Sequence, residues 1–386
     1  MPSQFLLPVL ALVVYFVGAT EFMLSPMLAP LGAAFDVTPA RAAWLVSSYA
    51  FAYALAAPVF GYFSDRIDRR RLLLAALLLF ALDGAALTLA PSFAAAIVFR
   101  VFGGLASAAL IPTVFALIAD RMPSDRQAGA MGLVMLGMTL GIALGPVVAG
   151  LLTDAFGWTA PFLATAAGCV GTFALGRSVI PVGPARVTPG RISWKRLREW
   201  AILRPLVAKG AWNGTAVSAF LLSGEVLRLR YGFGAAEAGG AVSAFGIGLG
   251  FGNFGVGRIS RLCGRDEMTL TLATLVVLCA VGLFLIVPVA LAGSLLSLGV
   301  WGAALGVAAP TSTAILASRA KEDKGVVLAI SESLNNLTIL AVLPLAAVVL
   351  EGSGVRGAAI VFGIGLSVGV GLTAWDLASS RSSENA

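Results

Sequence analysis

The sequence contains no histidine, and only 12% of its 386 residues are charged. Without histidine, the commonest zinc ligand and general base is absent. The three cysteines, Cys169, Cys263 and Cys279, show none of the spacings of a metal site or a disulfide framework. Because soluble chains carry about 25% charged residues, this composition argues against a soluble enzyme, a nucleic-acid-binding domain and a secreted disulfide-rich domain. We expect no metal and no organic cofactor.

Apolar residues dominate instead: 59% of the chain is hydrophobic, 45 residues are glycine, and the mean hydropathy is +0.95. Glycine is more frequent in membrane helices than in soluble ones, and about 20 apolar residues cross the roughly 30 Å of hydrocarbon. The sequence therefore predicts an all-α integral membrane protein with twelve transmembrane helices. The predicted spans are 5–31, 42–63, 72–90, 93–119, 129–152, 159–180, 205–227, 238–256, 268–290, 293–317, 326–349 and 357–377. No lysine or arginine precedes the first span, so it is expected to be a retained helix and not a signal peptide.

The basic residues predict the orientation of the chain. If the N-terminus is cytoplasmic, 20 of the 26 lysines and arginines fall in cytoplasmic segments, and only Arg41, Arg228, Arg230 and Arg356 fall outside. Cytoplasmic loops carry such an excess. We therefore expect a multi-pass protein of the cell inner membrane with both termini in the cytoplasm. The net charge of +7 then reflects topology, and no nucleic-acid partner is expected.

The chain divides into two similar halves. A shift of 198 residues aligns Gly104 with Gly302 and Arg121 with Arg319, and a shift of 196 aligns Gly61 with Gly257. We predict an N-terminal six-helix half over 1–180, a cytoplasmic linker over 181–204 and a C-terminal six-helix half over 205–386. Compositional coincidence is the alternative. Parallel repeats are one known plan of transporters, with the substrate site near the midplane between the halves.

Three motifs carry a family resemblance. The loop after the second span reads GYFSDRIDRRR, from Gly61 through Asp65, Arg66 and Arg69 to Arg71. The fourth span carries RVFGG from Arg100 to Gly104. The fifth span repeats glycine every four residues and then places a proline, at Gly137, Gly141, Gly145 and Pro146.

These motifs resemble signatures of the major facilitator superfamily, and the chain looks most like its twelve-span drug:proton antiporters, including sugar- and arabinose-efflux relatives. The run Thr20-Glu21-Phe22 is similar to a first-span motif of those relatives. The resemblance implies the major facilitator fold and no enzymatic activity. Two residues depart from the family pattern: Asp68 stands where glycine is usual, and Gly103 stands where glutamine is frequent.

The resemblance implies a secondary active transporter that exports a small organic solute, drug-like or sugar- or nucleoside-like, in exchange for protons. Alternating access would move the solute. An uncoupled facilitator or importer of an endogenous metabolite is the alternative, and a polytopic membrane enzyme is a remote one. The expected partners are the solute, protons and membrane lipid, and the protein is expected to be a monomer.

Two of the motifs suggest moving parts. Asp65 precedes a basic cluster, so it can form a charge latch that holds one access state; Gly61, Arg66 and Arg69 belong to the same motif. The other interpretation is a solvated topology anchor, which we favour for Arg69 taken alone. Gly141 and Gly145 form a stripe without side chains that lets another helix approach closely, and Pro146 adds a bend.

Ionised residues at midspan are costly and mark functional sites. Glu21, Asp83 and Arg100 are predicted at similar depth in the first half. We predict Glu21 as the proton carrier, with Arg100 as its electrostatic modulator and Asp83 beside them. The alternative is a structural Asp83–Arg100 pair with Glu21 as a substrate ligand. Lys209 and Asp376 are expected near cytoplasmic ends, where they can snorkel or be solvated.

The predicted cavity mixes apolar, aromatic and amide side chains, which suits an amphipathic or cationic organic molecule. Because Arg100 is the only buried positive group expected, phosphorylated substrates are not. The predicted substrate-binding residues are Tyr15, Phe22, Met23, Tyr53, Trp212, Asn253, Glu332 and Asn335.

Overall fold

The computed structural model describes residues 4–63, 68–181, 199–287 and 290–384, and these residues form helices and short turns without a β-strand. Long helices are connected by short turns, as expected where every backbone group must be satisfied within a membrane. The helices are α1 Leu6–Phe22, a 3-10 turn Ser25–Met27, α2 Leu28–Ala34, α3 Pro39–Ala42, α4 Trp44–Phe63, α5 Arg69–Thr88, α6 Phe93–Arg121, α7 Ser124–Phe156, α8 Thr159–Val179, α9 Trp200–Tyr231, α10 Ala235–Cys263, α11 Asp266–Ile286, α12 Leu291–Ala320 and α13 Lys324–Glu384.

The predicted all-α membrane fold is confirmed. Ten helical segments in the described ranges are long and apolar enough to span a membrane, and the last of them, Lys324–Ser379, has 56 residues. It bends at Gly354, whose φ of 69° and ψ of −170° separate two helices. The spans predicted at 326–349 and 357–377 lie on either side of this bend. Helix α9 has 32 residues but carries charges within its apolar stretch, so the count of twelve stays a prediction.

The first span is a broken helix. The backbone turns through the 3-10 segment Ser25–Met27 before α2 continues. Pro26 lies inside this segment, and a proline cannot donate the backbone hydrogen bond that would continue α1. The break places Glu21 in the last turn of α1. Ser25 lies in this break. Its Oγ donates a 2.8 Å hydrogen bond to the carbonyl of Phe220 in α9.

Residues related by the repeat make related contacts. A Cβ added to Gly104 would collide with the carbonyl of Tyr49, and one added to Gly302 would collide with the carbonyl of Phe245, 196 residues after Tyr49. Each glycine thus lets two helices of one half approach closely. The proposed linker 181–204 lies largely outside the described residues, and α9 already begins at Trp200. The domain boundaries stay a prediction.

Residues related by 198 positions also meet each other where the halves touch. The rings of Phe22 and Phe220 have centroids 5.1 Å apart, and the hydroxyls of Ser25 and Ser223 lie 3.3 Å apart. An axis relating the halves must therefore pass close to both contacts. We name this end of the bundle, where α1 and α9 finish, the closed end.

Further contacts join the halves between midspan and the closed end. A Cβ on Gly239 of α10 would collide with the carbonyl of Pro146 in α7. Near the end of α7, Asp154 accepts a 3.1 Å hydrogen bond from the amide of Ala236. At the opposite end, a Cβ added to Gly132 of α7 or Gly257 of α10 would meet no described atom within 4 Å. We name this end of the bundle, where α1 begins, the open end, because α7 and α10 make no close contact at these two positions.

The glycine stripe of α7 packs directly on α1. Cβ atoms added to Gly137, Gly141 or Gly145 would collide with the backbone of α1, for Gly141 with the Tyr15 carbonyl. This close approach is what the four-residue spacing predicts. Pro146 follows the stripe and lies against α10, so α7 contacts both halves. A rocking role for Gly141, Gly145 and Pro146 stays a prediction.

Two expectations about charges near the open end are wrong. Arg69 is not solvated: it is buried and forms a 2.5 Å ion pair with Asp120, which joins the start of α5 to the end of α6. Asp376 is buried as well and pairs with Arg319 at 2.8 Å. Each carboxylate supplies a counter-charge to an arginine near a helix end, and Arg319 has Glu267 as a second partner at 3.0 Å.

The motif loop is only partly described. Gly61 belongs to the last turn of α4, whereas Asp65 and Arg66 lie outside the described residues, so their gating role stays a prediction. Asp68 accepts a 3.0 Å hydrogen bond from the amide of Arg71. Asp68 is therefore the N-cap of α5. An aspartate can stabilise the start of this helix at a position where the family usually has glycine.

Candidate functional site

A buried ion pair joins the end of α5 to the beginning of α6, on either side of the turn that connects them. Arg100 and Asp83 lie 2.5 Å apart, and both side chains are 1% exposed. The prediction of similar depth is therefore met by direct contact between the two residues. A carboxylate and a guanidinium together cancel the charge that either would impose on the interior, which is the condition for burial.

Gly103 makes room for this pair. A Cβ at Gly103 would overlap the carboxylate of Asp83. The family frequently has glutamine at this position. Here the Asp83 carboxylate occupies the space that a side chain at 103 would fill, and it is the polar neighbour of Arg100. The sequence shows that Gly103 differs from the family's glutamine. The packing shows that Asp83 replaces that glutamine as the polar group beside Arg100.

Tyr49 of α4 connects the ion pair to Glu21. Its ring lies under the Arg100 guanidinium, 4.6 Å from centroid to Cζ. Its hydroxyl donates a 2.9 Å hydrogen bond to Glu21 Oε1. Ser107 of α6 donates a second bond to the same oxygen at 3.3 Å. Arg100 therefore reaches Glu21 through Tyr49 and not by direct contact.

Glu21 differs from the other midspan carboxylates of the described chain, because no lysine or arginine lies within ion-pair distance of it there. It is half-buried. Its Oε1 accepts hydrogen bonds from the hydroxyls of Tyr49 and Ser107. Because both donors are neutral, they do not balance the negative charge of the carboxylate. A proton or a positively charged group is what such a site can accept.

The C-terminal half contributes a second charged pair that the sequence analysis missed. Lys209 of α9 and Glu332 of α13 lie 3.0 Å apart, and Nζ also donates to Thr313 at 3.3 Å. The Lys209 side chain is 4% exposed and that of Glu332 is 43% exposed. The expectation of a solvated Lys209 is wrong, and Arg100 is not the only buried positive group.

Glu332 approaches the neighbourhood of Glu21 across a contact between the halves. Ser333, next to Glu332, donates a 2.8 Å hydrogen bond to the carbonyl of Ala54 in α4, and Tyr53 precedes Ala54, one turn after the Tyr49 that binds Glu21. Beside Glu332 on α13, Asn335 accepts a 2.8 Å hydrogen bond from Asn213 of α9. Of the predicted binding residues, Tyr53, Glu332 and Asn335 are thus brought together with Glu21.

The other predicted binding residues lie elsewhere in this conformation. Phe22 belongs to the aromatic contact at the closed end, Met23 is buried beside it, and Tyr15 is half-buried in α1. Trp212 is fully buried in the core of the C-terminal half against Gly369. Asn253 donates a 3.1 Å hydrogen bond to Thr139 across the α10–α7 contact.

Sequence reasoning could have found part of what it missed. Lys209 and Asn213 are four residues apart on α9, and Glu332 and Asn335 are three apart on α13, so each pair shares a helix face. Two polar faces in one half indicate facing helices. Ser107 and Thr313 carry no such signal, because single hydroxyls are frequent in apolar helices. Among the described residues no group of three metal-ligating side chains comes together.

The comparison of the halves shows that the N-terminal charges have no counterparts. The positions equivalent to Glu21, Asp83 and Arg100 are Ala219, Cys279 and Leu298, and Ala219 and Leu298 are buried in the apolar core. Phe245 replaces Tyr49 and packs on Trp301 with ring centroids 5.3 Å apart. The two halves share a backbone plan but differ in the chemistry that each presents to the interior.

Comparison with known proteins agrees with this architecture. The uncharacterized MFS-type transporter YceJ of Bacillus subtilis is 28% identical over 260 residues, 65% of this chain and 66% of that protein. The chloramphenicol resistance protein of Streptomyces lividans is 27% identical over 256 residues, 65% of each chain. The chain thus matches just under two-thirds of the length of these relatives.

The fold is shared over nearly the whole chain. The crystal structure of a POT family transporter in complex with 5-aminolevulinic acid superposes with a TM-score of 0.78 at 14% identity, over 97% of this chain and 96% of that one. At this identity the likeness concerns the fold alone. The sequence profile of the Major Facilitator Superfamily matches residues 10–342, and the chain therefore belongs to this superfamily of membrane transporters.

Proposed function

We propose that this transporter exports a small organic solute in exchange for protons, and that Glu21 is the group that binds the proton. The similarity to a chloramphenicol resistance protein supports efflux. The observation that carries the coupling is the environment of Glu21: a half-buried carboxylate without a counter-cation, between the two halves and one turn before the break in the first span.

The protonation state of Glu21 changes what its neighbours must do. As a carboxylate, Glu21 accepts hydrogen bonds from Tyr49 and Ser107. A protonated Glu21 carries a donor as well, so at least one neighbour must turn to accept. Because Tyr49 also contacts Arg100, the change extends to the Asp83–Arg100 pair.

This change is transmitted to the contact between the halves. Glu21 lies four residues before Ser25, which is hydrogen-bonded to α9 at Phe220. A shift of the last turn of α1 therefore alters the contact that seals the closed end. Proton binding and solute binding each favour one arrangement of the halves, which is the requirement for coupled alternating access.

Replacing Glu21 with glutamine is expected to abolish proton-coupled transport. Glutamine keeps an acceptor for Tyr49 but cannot take up a proton, so the dependence of transport on a pH gradient is expected to disappear. The measurement is solute-driven proton flux in proteoliposomes, with a panel of lipophilic cations, sugars and nucleosides.

Glu237→Gln is the matched control, because Glu237 is exposed at the start of α10 and its capping role survives the change. It is expected to retain proton flux. If Glu21→Gln moves solute with the same proton signal as the unmodified protein, Glu21 is not the coupling group. If neither protein shows a proton signal while solute crosses, the transporter is an uncoupled facilitator.

We also propose that the open end faces the cytoplasm of the cell, in whose inner membrane the protein works as a monomer. The excess of basic residues at this end supports the orientation. A membrane-impermeant maleimide is expected to label Cys263, at the end of α10, only after the cells are permeabilised. A cysteine introduced at exposed Ser353, near the Gly354 bend, in a Cys263→Ser background is expected to be labelled in intact cells. The reverse pattern would contradict the orientation.

A further inference from the structure

The helices α7 and α10 touch at the closed end and separate toward the open end. A Cβ added to Gly239 or Gly246 of α10 would collide with the backbone of α7, whereas one added to Gly257 would meet no described atom within 4 Å. These glycines are 7 and 11 residues apart, so they share one face of α10. The two helices therefore form a wedge, and Asp154, near the end of α7, lies at its closed edge.

Asp154 caps α10 from the other half of the molecule. The residue before α10 is Gly234, which has no side chain to accept a hydrogen bond. The amide of Ala236, the second residue of α10, instead donates its 3.1 Å bond to Asp154. An N-cap side chain normally accepts from the second or third amide of its own helix. Asp154 takes this role across the contact between the halves.

The other pair of facing helices carries an equivalent contact. Glu351 of α13 accepts a 2.9 Å hydrogen bond from the amide of Ala40, the second residue of α3. Helices α3 and α4 belong to one apolar span, Pro39–Phe60. A shift of 196 residues relates Ala40 to Ala236, and a shift of 197 relates Asp154 to Glu351. Each half thus supplies one carboxylate and receives one, on opposite sides of the axis that relates the halves.

We propose that Asp154 and Glu351 are positioning residues of the transport cycle, which hold the closed end shut by capping a helix of the opposite half. The inference rests on the alternating access proposed above and not on proton coupling. Both carboxylates are exposed, and both hydrogen bonds cross the halves. Each bond must break when the closed end opens, while the helices themselves stay folded. Removing the carboxylates therefore raises the population that is open at this end.

The test is the rate of maleimide labelling of two reporters in detergent, in a background whose native cysteines are changed to alanine. Ser223→Cys reports on the closed end, where Ser223 is buried against Ser25. Gly257→Cys reports on the open end. With Asp154→Ala or Glu351→Ala, the closed-end rate should rise about threefold, the lower range for a lost cap. The double variant should show a rise of about tenfold, because distant sites add.

The open-end reporter separates opening from a general loosening of the structure. Its rate should stay level or fall in the same variants, whereas partial unfolding would raise both rates. Asp154→Asn with Glu351→Gln keeps an acceptor for each amide, so the closed-end rate should return to within about twofold of the unmodified protein. Glu237→Ala is the matched control, because the Glu237 carboxylate binds the start of α10 without crossing the halves. It should leave both rates unchanged.

Three results would overturn the inference: an unchanged closed-end rate in the double alanine variant, an equal rise at both reporters, or an equal effect of Glu237→Ala. None of these measurements involves Glu21 or proton flux. If proton-coupled transport is intact and the closed-end rate does not respond, only the present inference fails. If the rates respond as expected and Glu21→Gln keeps its proton signal, only the proposed coupling fails.

Discussion

Replacing Asp83 with leucine is expected to destabilise the protein by about 3–5 kcal/mol, because the substitution leaves a buried arginine without its counter-charge. Arg100 is 1% exposed, and its remaining contacts are the ring of Tyr49 and a 3.4 Å hydrogen bond to the carbonyl of Leu45. Neither contact supplies a negative charge. Thermal unfolding in detergent, followed by tryptophan fluorescence, measures the loss.

The double variant Asp83→Leu with Arg100→Met separates the two explanations of such a loss. If the uncompensated charge is the cause, removing both charges should recover most of the stability, since apolar replacements of buried pairs are often neutral. Glu267→Gln is the matched control: its pair with Arg319 is about one-fifth exposed, and Arg319 keeps Asp376. A small change is expected there. A double variant as unstable as the single one would contradict the charge explanation.

Leucine at Gly141 is expected to force α7 away from α1 and to abolish transport. The added side chain would collide with backbone atoms of α1, which cannot move as a side chain can. Overpacking of this kind costs about 1–3 kcal/mol or more. Alanine at the same position should give a smaller loss of the same sign. The measurements are unfolding temperature and solute uptake in proteoliposomes.

Gly132 provides the control on the same helix. It lies at the open end, where an added Cβ would meet no described atom within 4 Å. Gly132→Leu removes the same helix-disfavouring glycine and adds the same apolar surface, so it should leave stability unchanged or slightly improved. Equal losses at Gly132 and Gly141 would show that the α1–α7 approach is not what limits stability.

The fold follows from the sequence because its signals are strong and local. Apolar length predicts the spans, and the repeated glycines of α7 predict a close helix contact that the structure contains at Gly137 and Gly141. The bend at Gly354 falls between two predicted spans. The break in the first span was not predicted, because prolines such as Pro112 and Pro310 sit inside continuous helices of the same protein.

The candidate site was predictable in part in both halves: Glu332 and Asn335 were expected to line the cavity, but the pairing of Glu332 with Lys209 was not. Asp83 and Arg100 flank one turn at equal distance, so antiparallel geometry brings them to the same depth. Lys209 and Glu332 are 123 residues apart, and although each shares a polar helix face with an asparagine, those faces do not state which residue pairs with which. The sequence also cannot show which atoms a charged group contacts. The structure was needed to show that Tyr49 contacts Arg100 with its ring and Glu21 with its hydroxyl.

The contact between Ser25 and Ser223 has a consequence for the origin of the chain. Two residues that are equivalent by repeat and also touch each other make an isologous contact, the kind that relates two identical subunits in a dimer. The match is incomplete at the next position: Gly224 donates its amide to Ser25, whereas its equivalent, Pro26, has no amide hydrogen to donate to Ser223. A fused ancestral homodimer would produce this pattern, in which the two copies later diverged and only one acquired Glu21, Asp83 and Arg100.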